Sequence, residues 1–327
     1  MNRDGNQRLA TALRRALDYV LDRQRQDGSW VDWNLPPGQS PSWTTAFVSW
    51  KLRSLNPGLR SCAARASASA ADWLLRHIFA DAGWGYNELV DSDADSTALA
   101  ILFLASAGKA IPPACYACLE SFQCADGGFA TYGGTPGLGS WGVSHMDVTP
   151  TALLALLTRY RVEHEPVTRG LRFVLSRGNA DEVWDSFWWT SCLYSTQASL
   201  TLLKSVGLNI ALPRRRETLW RMEPKNSFER ALLLSSLLFF PCGREPAILD
   251  LLDQLVESQE ADGSWESAPM LRVTRRDCFE PWKPGDPDRL YCDQNRLFTT
   301  ATVLEALSIF QPPASAAASE TGDPPHC

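Results

Sequence analysis

The sequence lacks a surplus of positive charge, a long apolar run and an apolar leader. Each absence argues against one class of function or location. Lysine and arginine together number 31 against 37 aspartate and glutamate residues, a net charge of −6 that argues against a nucleic-acid partner. No apolar run reaches the roughly 18 residues of a membrane-spanning helix, so we expect no such helix. Peripheral contact with a membrane is left open. The polar start, Met1 to Arg8, indicates no signal peptide, and we expect a cytoplasmic protein.

Residues that bind metals are also scarce. The chain has four histidines, and none is spaced to form a metal site with a cysteine. Of the nine cysteines, Cys115 and Cys118 lie three positions apart in an apolar, helix-like run. We interpret the cysteines as buried thiols in a reducing compartment. We therefore expect neither a metal site nor a redox cofactor.

Tryptophan, in contrast, is abundant at 13 residues, and several tryptophans belong to an internal repeat. Each repeat has a Gln near the end of an amphipathic segment, then Asp-Gly, then an aromatic residue a position or two later. Clear copies occupy residues 24–30, 123–129 and 259–265, and degenerate copies occupy 77–84 and 176–184. Asp-Gly predicts a tight turn after a helix. The turn would let the aromatic residue fold back against a neighbouring helix.

A second repeat contains Thr-Ala and opens a strongly apolar run each time. Its copies occupy residues 43–46, 96–98, 150–152, 195–198 and 299–301, with a weaker one at 229–231. Each run is apolar enough to be buried almost all round. The two repeats alternate along the chain, which predicts pairs made of one polar and one apolar helix.

The coarse map is twelve helices in six pairs. The polar helices are predicted near 7–26, 60–78, 111–123, 166–177, 212–222 and 244–259, and the apolar helices near 43–55, 94–108, 149–160, 191–206, 227–240 and 297–310. An open solenoid would expose the apolar set, so we predict an all-α fold that closes into a single (α/α)6 barrel of six helical hairpins. The barrel domain is predicted over residues 1–311, and the Ala-, Ser- and Pro-rich stretch 312–327 is predicted to be a disordered tail.

One apolar helix is preceded by three carboxylates, Asp91, Asp93 and Asp95. Alternate spacing is not helical spacing, so the acids are predicted in the segment that leads into the helix. One interpretation is that Asp95 caps the helix. The other is that Asp95 delivers a proton, because neighbouring carboxylates and apolar walls both keep a proton on an acid. The helix N-terminus acts in the opposite direction, favouring the anion.

From about residue 7 to 310, the sequence resembles the squalene–hopene cyclase and prenyltransferase repeat superfamily, particularly its small single-barrel bacterial members. The Gln-to-Trp copies look like that superfamily's Gln–Trp repeats. Residues 93–98 look like the Asp-x-Asp-Asp-Thr-Ala acid motif of class II terpene cyclases. The resemblance implies a non-redox isomerase or lyase that cyclises a linear isoprenoid or polyene. It also implies that Asp95 is the general acid, supported by Asp93 and Asp91.

Two positions depart from the family pattern. Ser96 stands where the acid motif has its last Asp. Hopene cyclases have an Asp-Val-Thr-Ala-His segment whose His is a partner of the acid. The matching segment here begins at Asp147 and has Thr151 at the His position, and His145, two residues upstream of Asp147, is a candidate to replace that His through space.

Aromatic faces stabilise carbocations through their ring quadrupole, and residues 184–196 are similar to the aromatic segment that lines the hopene cyclase cavity. The predicted substrate-binding residues are Trp84, Tyr86, Trp141, Asp147, Phe187, Trp188, Trp189, Tyr194 and Phe298. We expect the cavity where Trp43, Asp95, Asp147, Trp189 and Phe298 converge, and a hydrophobic isoprenoid-like small molecule as its ligand. A diphosphate substrate would bring Mg²⁺, with Arg289 and Arg296 as candidate contacts at the cavity mouth.

Two alternatives remain open at this point. Prenyltransferase β-subunits share the repeat, and their zinc is held by Asp, Cys and His. Residues 283–292 faintly echo the region around that His ligand, with Cys292 at the His position. The other alternative is a non-catalytic barrel that binds a hydrophobic ligand or a partner.

Overall fold

The computed structural model describes residues 3–133, 137–208, 212–240, 246–283 and 289–310. Within these ranges the helices are α1 (Arg3–Asp22), α2 (Pro41–Ser54), α3 (Pro57–Cys62), α4 (Ala64–Arg76), α5 (Ala94–Ser106), α6 (Pro113–Ser121), α7 (Thr149–Leu157), α8 (Glu165–Ser176), α9 (Leu193–Ser205), α10 (Pro213–Arg221), α11 (Ser227–Leu237), α12 (Pro246–Glu257) and α13 (Leu297–Ser308). The strands are β1 (Asn34–Leu35), β2 (Gly38–Gln39), β3 (Leu271–Val273) and β4 (Arg289–Tyr291). None of these helices is long and apolar enough to cross a membrane.

The apolar helices form a closed inner ring. Around the ring, α2 packs on α5, α5 on α7, α7 on α9, α9 on α11, α11 on α13, and α13 returns to α2. The polar helices α1, α4, α6, α8, α10 and α12 pack on the outside of this ring. The prediction of an all-α barrel of six hairpins is thereby confirmed.

Burial separates the two layers in the way their sequences predict. In α5, every residue from Ala98 to Leu104 is buried, because both faces of an inner helix meet other helices. In α8, burial is confined to the stripe formed by Val167, Gly170, Leu171, Phe173 and Val174. The core is therefore the annulus between the two layers.

The Gln of each repeat ties one hairpin to the next. Gln24 Nε2 donates to the carbonyl of Gly28 at 2.9 Å and to that of Ala66, at the start of the next outer helix, at 2.8 Å. The Gln residues at 123 and 259 make the same pair of bonds. Gly28 has φ +97°, and a Cβ there would lie 2.6 Å from the carbonyl oxygen of Ser69. Only glycine fits this turn.

The aromatic residue of the repeat joins the outer helix to the inner one. Trp30 Nε1 donates to the carbonyl of Val20 at 2.8 Å, and its backbone N–H donates to Thr45 Oγ1 at 2.8 Å. The tryptophans at 84, 184 and 265 bond in the same way to a carbonyl ten residues upstream. The threonine of the Thr-Ala repeat is thus the partner of the Gln–Trp repeat, and this explains why the two patterns alternate.

The structure also corrects the map in places. The single helix predicted near 60–78 is two helices, α3 and α4, that meet at Ala63. The first begins earlier than predicted because the Asn56 side chain caps it, accepting the N–H of Leu59 at 3.1 Å. The two short antiparallel ribbons, β1–β2 and β3–β4, were not predicted. β3 also bridges to Trp189, which places this ribbon over one end of the barrel. The predicted tail, 312–327, lies outside the described residues.

Candidate active site

A cavity of about 600 Å³ opens at the end of the barrel where the inner helices begin. Its walls come from the first turns of inner helices, from the loops that precede them and from β3. The lining residues are Leu35, Pro36, Pro37, Trp43, Tyr86, Leu89, Val90, Asp91, Asp93, Asp95, Ser96, Thr131, Tyr132, Leu138, Trp141, Asp147, Val148, Trp188, Trp189, Leu271, Arg272, Val273 and Arg276. The walls are mostly apolar and aromatic, with carboxylates in one region.

The three predicted acids take three different positions. Asp93 caps α5, since its Oδ1 accepts the N–H of Ser96 at 2.7 Å. Asp95 lies in the first turn of α5 and lines the cavity, and Asp91 is exposed at the cavity wall. Asp95 lies inside the helix, as the map near 94–108 has it, and the interpretation that Asp95 is the cap is wrong because Asp93 caps α5. The capping role is already filled, so it does not explain Asp95.

Asp95 is a half-buried carboxyl group with only one oxygen hydrogen-bonded. Its Oδ2 accepts a 2.6 Å hydrogen bond from Trp43 Nε1, whereas its Oδ1 is buried and has no partner among the described residues. Burial, followed by the negative charges of Asp93 and Asp147, raises the pKa of Asp95 to about 8, and the Trp43 N–H opposes this shift. A pKa of about 8 favours the protonated form at neutral pH, and Oδ1 is the oxygen that is free to carry the proton because Oδ2 accepts the Trp43 N–H.

Ser96 supports Asp93 at the position where the family motif has its last Asp. The Ser96 hydroxyl donates to Asp93 Oδ2 at 2.8 Å, in addition to the backbone bond to Oδ1. Burial raises the pKa of Asp93 to about 6, against these two bonds. Asp93 is therefore largely ionised at neutral pH, next to a protonated Asp95.

Asp147, ahead of α7, lines the cavity as a second incompletely bonded acid. Its Oδ2 accepts the backbone N–H of Trp188 at 2.6 Å, and its Oδ1 is buried without a partner among the described residues. Burial raises the pKa of Asp147 to about 6, while the backbone N–H groups of Trp188, Asp147 and Phe187 and the charge of Arg272 act in the opposite direction.

His145 has other partners than the acid that it was predicted to support. Its Nε2 donates to the carbonyl of Ser140 at 2.8 Å, and its Nδ1 accepts from the hydroxyl of Thr131 at 3.2 Å. The ring stacks on Phe187 at 4.0 Å between centroids. Burial lowers the pKa of His145 to about 4, so the ring is neutral at pH 7. With both nitrogens engaged, His145 does not replace the family's His.

The predicted aromatic residues divide into two groups. Tyr86, Trp141, Trp188 and Trp189 line the cavity. Phe187, Tyr194 and Phe298 do not line it but lie behind residues that do: Tyr194 stacks on Trp189 at 4.3 Å and Phe298 lies 4.6 Å from Trp43.

The prediction that Trp84 binds substrate in the cavity is wrong. Trp84 is fully buried away from the cavity, and its Nε1 donates to the carbonyl of Leu74 at 3.0 Å. This is the bond that the other repeat tryptophans make, so Trp84 packs helix against helix.

Sequence reasoning missed Tyr132 and the two arginines of the lining. Tyr132 follows the repeat aromatic Phe129 by three residues, and Tyr86 follows Trp84 by two. Since each repeat aromatic is anchored in the annulus, the chain just after it returns to the cavity, and this spacing is a usable signal. Arg272 and Arg276 come from β3 and the loop after it, a ribbon that no pattern predicted.

The predicted cations do not line the cavity. Arg289 is exposed on β4, and Arg296 donates to Ser264 Oγ at 3.0 Å. Arg272, in contrast, is buried, and its guanidinium donates to the carbonyls of Trp189, at 2.7 Å, and Pro281. Arg276 is exposed and lies 5.1 Å from the ring centroid of Trp141.

No group of three or more His, Cys, Asp or Glu side chains in the described ranges is arranged to hold a metal ion. The segment with the prenyltransferase echo, 283–292, falls partly outside those ranges, at residues 284–288.

Comparison with known proteins identifies the fold. No family model matches the sequence, and no curated protein matches it. Among solved structures, the type II terpene cyclase MstE from Scytonema, in its apo form, is 23% identical over 93% of this chain and 98% of its own, with a TM-score of 0.79.

An MstE variant in complex with geranylgeranyl dihydroxybenzoate, named as its substrate, is 22% identical over 94% and 98% of the two chains, with a TM-score of 0.81. A protein from Actinoplanes is 26% identical over 91% and 98%, with a TM-score of 0.80. The chain therefore has a class II terpene cyclase-like fold, as the repeats and the acid motif predicted.

Proposed function

We propose that this protein is a class II terpene cyclase-like enzyme that cyclises a linear isoprenoid by protonating it from Asp95. The observation that carries the proposal is the position of Asp95 in an aromatic cavity, with an Oδ1 that has no partner among the described residues. Burial raises the pKa of Asp95 to about 8, which favours the protonated form at neutral pH. An alkene accepts a proton only from an acid that holds one at working pH and that faces a pocket poor in water.

The first step transfers the Oδ1 proton of Asp95 to one carbon of a substrate double bond. The π electrons form the new C–H bond, the other carbon becomes a carbocation, and Asp95 becomes a carboxylate. The next double bond of the substrate attacks the cation and closes a ring. Trp43 Nε1, 2.6 Å from Oδ2, stabilises the carboxylate that forms.

An acid with a pKa of about 8 is weak, so the cavity has to stabilise the cation. The carboxylates of Asp93 and Asp147 attract positive charge in a medium of low dielectric constant. The faces of Trp188 and Trp189 add cation–π attraction. The same carboxylates that keep the proton on Asp95 before reaction thus stabilise the positive charge after transfer.

The cavity volume suits a small-molecule substrate. At about 600 Å³ it lies within the roughly 300–1,000 Å³ of small-molecule sites. MstE has the same fold and a geranylgeranyl dihydroxybenzoate complex, so a prenylated aromatic acid is the first substrate class to test. A head group at the mouth would meet Trp141 and the exposed Arg276.

The proposed reaction needs no redox cofactor. A diphosphate substrate would bring Mg²⁺, but the described residues offer no cluster of three or more acids, His or Cys for that ion.

The test is incubation of the purified protein in D₂O with geranylgeranyl dihydroxybenzoate, geranylgeranyl diphosphate and squalene, followed by mass spectrometry. We expect one substrate to give a cyclic isomer. This product should carry one deuterium, which enters in the protonation step. Release of diphosphate with transfer of the prenyl group would support the prenyltransferase alternative. Saturable binding of a substrate without any product would support the binding-barrel alternative.

Trp43 provides a prediction with a pH readout. In the wild type, kcat/KM should fall above about pH 8, because Asp95 loses its proton there. Trp43→Phe removes the N–H that stabilises the carboxylate, so the pKa of Asp95 rises and the alkaline edge moves to higher pH. The plateau rate should fall about 10- to 100-fold, as expected for loss of a hydrogen bond to a charged group.

The control for that experiment is Trp50→Phe, on the same helix α2 but outside the cavity lining. Its alkaline edge should stay at the wild-type pH. A shift of the Trp43→Phe edge to lower pH would contradict the assignment of Asp95 as the titrating acid.

A further inference from the structure

We propose that Asp147 ends the reaction as its base, taking a proton from the final carbocation on its unpartnered Oδ1; this inference rests on the proposed cyclisation. Cyclisation leaves a cation that must either lose a proton or be captured by water. The identity of the group that removes the proton therefore decides the product.

The position of Asp147 suits that role. It precedes α7, the ring neighbour of α5, so that it lines the same cavity as Asp95. Its Oδ2 is held by the backbone N–H of Trp188 at 2.6 Å, which fixes the carboxylate. Its Oδ1 is buried and meets no donor at hydrogen-bonding distance and angle among the described residues, while the nearby backbone N–H groups of Asp147 and Phe187 favour the carboxylate form. A fixed carboxylate with one unused oxygen is a pre-positioned proton acceptor.

The other carboxyl groups of the lining and the Tyr86 hydroxyl are less suitable acceptors. Both oxygens of Asp93 are occupied by Ser96. The Tyr86 hydroxyl donates to the carbonyl of Gly38 at 2.9 Å. Asp91 is exposed, where bulk water competes for its oxygens. Asp95 is a carboxylate after the first step, with the Trp43 N–H on its Oδ2, so it is the competing acceptor.

The protonation states also fit the two roles. Asp95 has a pKa of about 8 and Asp147 of about 6, so at pH 7 the first holds a proton and the second is mostly a carboxylate. Two carboxyl groups in one cavity with separated pKa values are suited to act as acid and base.

The step balances without a co-reactant. A C–H bond next to the cationic carbon breaks, its electron pair forms a C=C bond, and the proton goes to Asp147 Oδ1. Asp95 is then a carboxylate and Asp147 a carboxylic acid. After the product leaves, water can carry the proton from Asp147 back to Asp95. The net reaction is an isomerisation.

Asp147→Asn separates the chemical role from the structural one. The amide oxygen of Asn can still accept the Trp188 N–H, so the loop is retained, but its NH₂ group cannot accept a proton. We expect cyclisation to continue, with substrate consumption lowered about 10- to 100-fold. The products should change from one alkene to a mixture of alcohols formed by water capture and other alkene isomers.

The matched control is Asp185→Asn, which alters a half-buried carboxyl group outside the cavity lining and should leave the product ratio unchanged. If Asp147→Asn lowers all products in parallel without changing their ratio, Asp147 has only a structural role and the inference is overturned. A wild-type protein that cyclises none of the substrates would refute the proposed function itself, which is a separate outcome.

A wild-type measurement keeps the test independent of the variant's folding. The charged or titratable groups that act on Asp147 or lie beside it are Asp95 on α5, Tyr194 on α9, Arg272 on β3 and, on its own segment, the neutral His145. As pH falls through about 6, Asp147 becomes protonated, and the ratio of alcohol to alkene should rise. A ratio that stays constant between pH 5 and pH 8, a range chosen to bracket both pKa values, would overturn the inference.

Discussion

Replacing Asp95 with Asn should lower turnover of the cyclised substrate at least about 10³-fold while substrate still binds. Asn has nearly the same shape and can accept the Trp43 N–H, which in the wild type lies 2.6 Å from Oδ2. It has no acidic proton to give, so the first carbocation cannot form. The measurement is product formation by mass spectrometry, with substrate binding followed by quenching of the cavity tryptophans.

The control is Asp253→Asn, which makes the same chemical change at an exposed position of α12 and should leave turnover unchanged. Product formation by Asp95→Asn at the wild-type rate would refute the acid assignment. Loss of binding together with loss of turnover would point to a collapsed cavity instead of a missing acid.

Stability measurements distinguish these outcomes further. The pKa of Asp95 is about 8 in the folded protein against an ordinary value of 3.8. The folded state thus binds this proton more tightly than the unfolded state, and the contribution of Asp95 to stability falls as pH rises from about 4 to about 8. Asp95→Asn removes this dependence. At pH 8 the variant should therefore unfold at a higher urea concentration than the wild type. Such a gain in stability is expected when a residue that serves function is incompletely hydrogen-bonded in the folded protein.

The fold was predictable because its determinants are local and repeated. The Gln24 side chain and the Gly28 turn are specified within seven residues, and the same bonds recur at later copies. Six inner helices that are apolar all round then have few ways to be buried other than a closed ring. The acid motif likewise placed Asp95 at the cavity.

The rest of the site depends on contacts between distant parts of the chain. Trp84 ends a degenerate repeat copy and is anchored to an outer helix, whereas Trp188 belongs to no copy and faces the cavity. Arg272 enters the lining through a ribbon whose path is set by its bonds to the backbone of residues 188 and 189. The position of Trp188 at the cavity and the path of this ribbon have no local signature, so the repeat could not reveal them.

The closure of the ring leads to the prediction with the largest effect on stability. Lys51 on α2 and Glu305 on α13 pair at 2.5 Å, with side chains only 5% and 16% exposed. These helices join the first hairpin to the last. Glu305→Ala should lower the free energy of unfolding by about 3–5 kcal/mol, because it leaves the Lys51 ammonium buried without its carboxylate. The melting temperature should fall by on the order of 10 °C.

The pair itself should contribute little compared with an apolar replacement, since desolvation of both ions offsets their attraction. The double variant Lys51→Met with Glu305→Leu should therefore regain most of the stability that Glu305→Ala loses. Glu257→Ala is the matched control: its ion pair with Arg8 is 63% and 55% exposed, so the change should cost under about 1 kcal/mol. Equal melting temperatures for Glu305→Ala and Glu257→Ala would mean that Lys51 reaches water when its partner is absent. The inner ring would then not be closed to solvent between α2 and α13.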